Sequence, residues 1–267
     1  MWIMPSLRAR LLPILMLLAG SLVAQMEPLE ADRPDQTESP AIVPAGWFQL
    51  ECGWSREEAE ENGLSDTKNL LPASLWKIGL CKRVEFRLII ERIELHAAEG
   101  DAADQSGILP VKLGGKVSLC EEHGWIPRTS LIAHAGMPWL AHKELQVPEY
   151  FGTFRFTMQH TLSDRFSLGY NIGAEQDGES PTAAGVYTLT LGATASDRLG
   201  GYVELYGSLT DGSSPDHRFD GGITFRCGPD VLLDASGGFS VSGSHTWFLG
   251  LGLSFRVPVF VGRAVAE

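Results

Sequence analysis

The sequence predicts an all-β protein: a closed, antiparallel, up-and-down transmembrane β-barrel of about twelve strands. Three observations predict it. A two-residue rhythm of apolar side chains recurs in segments of about ten residues, the connections between segments alternate between short and long, and the chain opens on an export signal.

The export signal comes first along the chain. Arg8 and Arg10 precede an apolar run over residues 11–24 that ends in small side chains, which is the pattern of a secretory signal peptide cleaved near Ala24. That run is too short to cross a bilayer as a helix, and no later stretch reaches the roughly 18 apolar residues a transmembrane helix needs. No cysteine follows the small residues, so a lipid-modified N-terminus is not expected. The expected organisation is a signal peptide over 1–24, a periplasmic or plug segment over 25–44, a barrel over 45–256 and a tail over 257–267.

Charge and cysteine usage remove whole classes of function. The chain carries 33 acidic against 21 basic residues, a formal net charge of −12, and loss of Arg8 and Arg10 on cleavage makes it more acidic. A nucleic-acid partner is therefore disfavoured. Cys52, Cys81, Cys120 and Cys227 form no CxxC pair, so neither a zinc site nor a thioredoxin-like centre is expected, and no metal or cofactor is assigned. Export permits a disulfide. Cys81 and Cys120, expected near the same end of neighbouring strands, are the one pair proposed, with free thiols as the alternative.

The clearest strand closes the barrel. Trp247, Leu249, Leu251, Leu253 and Phe255 alternate with Phe248, Gly250, Gly252, Ser254 and Arg256. Successive side chains of a strand point to opposite faces, so this run has one oily and one wet side. The same rhythm sets Phe166, Leu168, Tyr170, Ile172 and Ala174 against Ser167, Gly169, Asn171, Gly173 and Glu175. Weaker copies lie at 47–55, 71–80, 84–93, 108–120, 127–136, 151–162, 185–194, 201–209, 217–226 and 231–239. A tilted strand needs about 9–11 residues to cross the hydrocarbon layer, whereas ordinary globular strands run nearer five or six.

Short turns are expected at 81–83, 121–124, 163–165, 196–198 and 228–230. Longer links are expected at 56–69, 94–107, 137–150, 176–184, 210–216 and 240–245, the last two only moderately longer. Short turns on one rim and long loops on the other are the habit of bacterial outer-membrane barrels, with the short ones facing the periplasm.

Alternation alone does not say which face points outward, because a soluble barrel places its oily face inside. Twelve strands enclose a lumen that apolar side chains fill poorly, and closure in lipid removes the unpaired sheet edges a bilayer forbids. The small and charged face is therefore expected inward, with Glu85, Arg87, Glu91, Arg155, Glu204, Arg226 and Asp234 as lumen candidates. These charges either line a path for solute or form a network that stiffens and plugs the barrel. Arg92 shares the phase of Val84, Phe86, Leu88 and Ile90 and is expected beyond the apolar band, snorkelling. Trp47, Trp54, Trp76, Trp125, Tyr202 and Trp247 near segment ends are candidates for interfacial girdles.

Ahead of the first strand stands Glu30-Ala31-Asp32-Arg33-Pro34-Asp35-Gln36-Thr37-Glu38-Ser39-Pro40, followed by Val43-Pro44-Ala45-Gly46 and Gln49-Leu50-Glu51. With Leu162-Ser163-Asp164-Arg165-Phe166, Ser196-Asp197-Arg198-Leu199-Gly200, Val203-Glu204-Leu205-Tyr206-Gly207 and Asp220-Gly221-Gly222, it resembles a family of outer-membrane barrels labelled as transporters of the meta-cleavage pathway of phenol degradation. The resemblance covers nearly the whole mature chain and implies an outer-membrane barrel with a transport role. Phenol itself is not carried over as a substrate. Members tend to finish on an aromatic residue of the last strand, here Phe255, whereas residues 256–267 continue past it.

The acidic, proline-rich opening is too polar and irregular for a strand. Either it folds into the lumen, where Asp32, Asp35 and Glu38 meet Arg87, Arg155 or Arg226, with Arg33 beside them, or it is a periplasmic tether. Catalysis finds little support. Ser130 and His134 share a strand face about 13 Å apart, Ser244 and His245 point opposite ways, and His96, His142, His217 and His245 fall in or near loops. Passive passage of a small molecule, hydrophobic or aromatic solutes included, is the leading function, and a structural or receptor barrel is the alternative. The expected partners are outer-membrane lipid, an unidentified solute and the barrel-insertion machinery.

Overall fold

The computed structural model describes residues 26–61, 64–97, 104–242 and 245–259. The signal-peptide segment 1–24 and most of the expected tail lie outside the described residues.

Thirteen antiparallel segments follow one another: β1 (Trp47–Glu61), β2 (Leu64–Cys81), β3 (Val84–His96), β4 (Gln105–Ile108), β5 (Val111–Cys120), β6 (Arg128–Met137), β7 (Phe151–Thr161), β8 (Phe166–Glu175), β9 (Ala184–Thr194), β10 (Leu199–Leu209), β11 (Asp216–Gly228), β12 (Val231–Ser240) and β13 (His245–Pro258). Each pairs with its sequence neighbour, except that β4 and β5 both pair with β3, and β1 pairs with β13, so the sheet closes on itself. β4 and β5 are two halves of one stave. β4 pairs with β3 from Arg92↔Ile108 onward and β5 from Ile89↔Lys112 in the other direction. The break falls at Leu109-Pro110, where proline has no N–H for the ladder; Leu109 N still donates to Glu91 O (2.9 Å). The barrel is therefore twelve-stranded. The loop after β6, built on two single-turn 3-10 helices, covers the free edge of β4, with His142 N donating to Ile108 O (2.8 Å).

Exposure decides the sense of the alternation. Leu249, Leu251 and Leu253 stand out from the wall at 40–56% exposure, while Ser254 between them and Phe255 is 0% exposed. Outward Phe86, Phe154, Ile172, Leu189, Ile223 and Leu233 repeat this around the barrel, while Glu51, Lys77, Glu85, Arg87, Lys116, Glu204 and Asp220 are buried. Apolar outside and charged inside is the arrangement hydrocarbon selects. Arg92 points outward and pairs with Glu94 (2.5 Å), both side chains about two-fifths exposed.

Two expectations are corrected here. Residues 56–61 and 64–69, expected within a long loop over 56–69, are strand: β1 and β2 stay paired to Glu61↔Leu64. These residues are charged and polar because they rise past the apolar band, and backbone pairing continues where hydrophobic rhythm stops. At the other end β13 runs on to Pro258, pairing Gln49↔Arg256 and Trp47↔Pro258, so residues 257 and 258, expected in the tail, belong to the wall.

Candidate functional site

Residues 26–46 run inside the barrel. They enter at the short-turn rim, where Leu29 N donates to Pro229 O (2.8 Å), Arg226 to Leu29 O (3.1 Å) and Arg256 to Glu27 O (3.0 Å). They leave at the same rim, where Val43 N donates to Glu85 Oε2 (2.7 Å) and Gly46 N to Gly79 O (2.9 Å). Gly79 is needed there, because a Cβ would collide with the carbonyls of Val43 and Pro44. Between these two points the segment rises to mid-wall.

Asp32 is the centre of its attachment. Its Oδ2 accepts from Lys77 Nζ (2.9 Å) and Arg87 Nη1 (2.8 Å), and its Oδ1 from Lys116 Nζ (3.0 Å). Glu51 pairs with Lys77 and accepts from the backbone N–H of Asp32 (2.9 Å) and Arg33 (3.0 Å). Glu85 and Glu38 complete the charges around Arg87. Burial by itself would raise the Asp32 carboxyl, but the Lys116, Lys77 and Arg87 charges outweigh it and hold the group well below the usual carboxylate range. Such a knot confers position more than net stability, since desolvation offsets most of the attraction, yet removing one member strands the rest.

The opposite wall holds the segment through neutral donors. Gln36 N donates to Glu204 Oε2 (2.7 Å), Thr37 Oγ1 bonds Glu204 and Thr188, and Glu38 N donates to Asn171 Oδ1 (2.8 Å). Ser130 Oγ donates to Pro40 O (2.6 Å). Asp35 faces this wall without a cation: burial first, then the Glu204 and Asp220 charges, push its carboxyl well above the usual range.

The candidates read from sequence thus divide. Asp32, Glu38, Glu85 and Arg87 share one knot, Arg33 reaches Asp234 (3.2 Å), and Glu91 pairs with Lys112 (3.4 Å). Arg155 and Arg226 meet the segment at the carbonyls of Gln36 and Leu29, not at its carboxylates. Sequence reasoning missed Lys77, Lys116, Glu51 and Asp220, although each alternates in phase with inward neighbours. Cys81 and Cys120 are not neighbours, because β3 lies between β2 and β5; all four cysteines are free. Tyr202 shares the phase of Glu204 and faces the lumen, and Trp47 lies against Arg256 (5.2 Å) at the lumen mouth, so neither joins a girdle. Trp125 is 97% exposed on the β5–β6 turn, while Trp76 and Trp247 do face outward. Ser130 and His134 point inward, His134 accepting from Arg87 Nε (3.2 Å), so they brace the segment and do not form a lipid-side catalytic pair. Ser244 lies outside the described residues.

The segment narrows the lumen without filling it. Beyond it, on the long-loop side, lies a vestibule of about 480 Å³ lined by Glu57, Lys68, Glu91, Glu175, Tyr206 and Arg218 among others. Beside it, against β8–β11, a cleft of about 260 Å³ is walled by the small residues Gly169, Thr190, Gly192, Gly200 and Gly201.

The family model described as "Putative MetA-pathway of phenol degradation" matches residues 31–257. No curated protein matches the chain. Among solved structures, the COG4313 outer membrane channel from Pseudomonas putida F1 is similar over 85% of this chain and 100% of its own, at 13% identity and a TM-score of 0.64. The NanC porin is similar over 79% of this chain and 100% of its own, at 7% identity and a TM-score of 0.50. At these identities the likeness concerns the fold.

Proposed function

Because the chain belongs to the matched family of outer-membrane barrels, we propose that it is a passive channel for small molecules whose N-terminal segment is a lumen plug. The observation that carries this reading is the plug's asymmetric attachment, with most of its ion pairs on one side and neutral hydrogen bonds on the other. Its ion knot ties it to β1, β2, β3 and β5, and the cleft remains open along the glycine-rich wall opposite. The COG4313 protein from Pseudomonas putida F1 is an outer membrane channel, and that role is extended here to this chain. The solute is a small molecule, with hydrophobic and aromatic compounds within the class. Export through a signal peptide over 1–24 and assembly by the barrel-insertion machinery belong to the same proposal.

Deleting residues 27–40 from the reconstituted protein is expected to raise single-channel conductance in planar bilayers, because it removes the plug and its charges from the lumen. Unchanged conductance would count against a plug. No solute flux into liposomes from either form would favour a structural or receptor barrel instead.

A further inference from the structure

A belt of buried carboxylates lies between the vestibule and the cleft, on the lining of neither. The two linings share Arg33 and Pro34 alone. On three adjacent strands the division between them falls at an acidic residue. On β10, Tyr202 lines the cleft and Tyr206 the vestibule, with Glu204 between; on β11, Thr224 and Arg218 do so on either side of Asp220; on β12, Leu232 and Ser236 flank Asp234. Alternation puts all three on the lumen face, and each is at most 6% exposed. Asp35 of the plug is close enough to Glu204 and Asp220 to feel their charge.

Glu204 and Asp220 have no lysine or arginine partner among the described residues, unlike most lumen carboxylates. Asp32, Glu38, Glu51, Glu85, Glu91 and Glu175 each pair with a lysine or arginine. Glu204, in contrast, accepts from Gln36 N and Thr37 Oγ1, which carry no charge. Neither oxygen of Asp220 nor Oδ2 of Asp234 has a well-aligned hydrogen-bond donor among the described residues, although the Tyr202 hydroxyl and the Glu204 carboxyl lie beside Asp220. The cation at this level is Arg33, seated between Gly53 and Gly252 and bonded to Asp234 Oδ1 (3.2 Å). Buried carboxylate oxygens without donors are costly unless water or a cation meets them. Low-dielectric walls around charges of one sign focus their field along a path.

We infer that Glu204, Asp220 and Asp234 are the charge filter of the channel, favouring inorganic cations and positively charged small solutes over anions, with Arg33 as the opposing charge. The inference rests on the channel reading. It is tested on the full mature protein by reversal potentials across a potassium chloride gradient in planar bilayers. The wild type is expected to prefer potassium. Asp220→Asn and Asp234→Asn should each lower the potassium-to-chloride permeability ratio, by up to about thirtyfold for a unit charge about 4 Å from the ion in a water-like medium, since it favours potassium and disfavours chloride alike. Arg33→Gln should raise it. Heat-modifiable gel mobility selects the variants that form the barrel, and the two aspartate variants sit on different strands, so loss of one leaves the other. A conducting wild type without cation preference, or ratios unmoved in the asparagine variants, overturns the filter and leaves the channel standing. A wild type and a plug deletion that both fail to conduct overturn the channel and the filter with it.

Discussion

Substituting Asp32 by Asn keeps the shape of the side chain and removes the charge on which Lys77, Arg87 and Lys116 converge at 2.8–3.0 Å. Removing one partner of a buried ion pair costs about 3–5 kcal/mol, because the remaining charges stay desolvated. Undocking of the plug admits water that relieves those cations, so the lower end of that range applies. About 3 kcal/mol corresponds to roughly a hundredfold shift from docked to undocked plug, at about 1.4 kcal/mol per tenfold. Hydrogen exchange of the peptide covering residues 26–46 reads this directly. The amides of Asp32 and Arg33, held by Glu51 Oε2 at 2.9 and 3.0 Å, and that of Val43, held by Glu85 at 2.7 Å, should lose protection by about that factor, while mid-strand amides of β8–β11 do not change. Conductance should rise in parallel towards that of the plug deletion. Unaltered protection across residues 26–46 would refute the idea that the Asp32 knot holds the plug.

Plug docking should also depend on pH at both ends. The Asp32 tie, whose carboxyl is held low by its three cations, is present above the ordinary carboxylate range and lost as pH falls through its lowered pKa. The Asp35 contact, with its carboxyl pushed up by burial and by Glu204 and Asp220, is present at acid pH and lost as pH rises through its raised pKa. Open probability should therefore pass through a minimum with pH, and Asp35→Asn should flatten its alkaline limb; an unchanged alkaline limb would count against the contact. On the outer face, Leu251→Arg places a charge near the middle of the apolar band on a side chain 56% exposed, at a cost of about 2–4 kcal/mol. Urea titration of folding into bilayers should show that loss, and no loss would mean that this face does not meet hydrocarbon.

The belt residues show how unevenly the sequence discloses a site. Glu204 and Asp234 stand out as charges in phase with small residues, whereas Asp220, inside the expected strand 217–226, figures only in an Asp-Gly-Gly match to the family, and it gains meaning from lying opposite Glu204 on the neighbouring strand. Lys77 and Lys116 likewise look like ordinary inward cations until the fold brings them to one carboxylate from strands nearly 40 residues apart in sequence. Pairing across the barrel depends on tilt and register, which no local pattern encodes.

The sequence by itself determined that the chain alternates oily and wet side chains in about twelve segments, because a period of two is a local property of each strand. It also determined that the opening segment is too acidic and too rich in proline to join the wall. Only the tertiary structure decided which face meets lipid, how far β1 and β2 rise beyond it, and which charges hold the plug. Those features depend on where closure places each residue relative to others far along the chain, and a linear pattern carries no such distances.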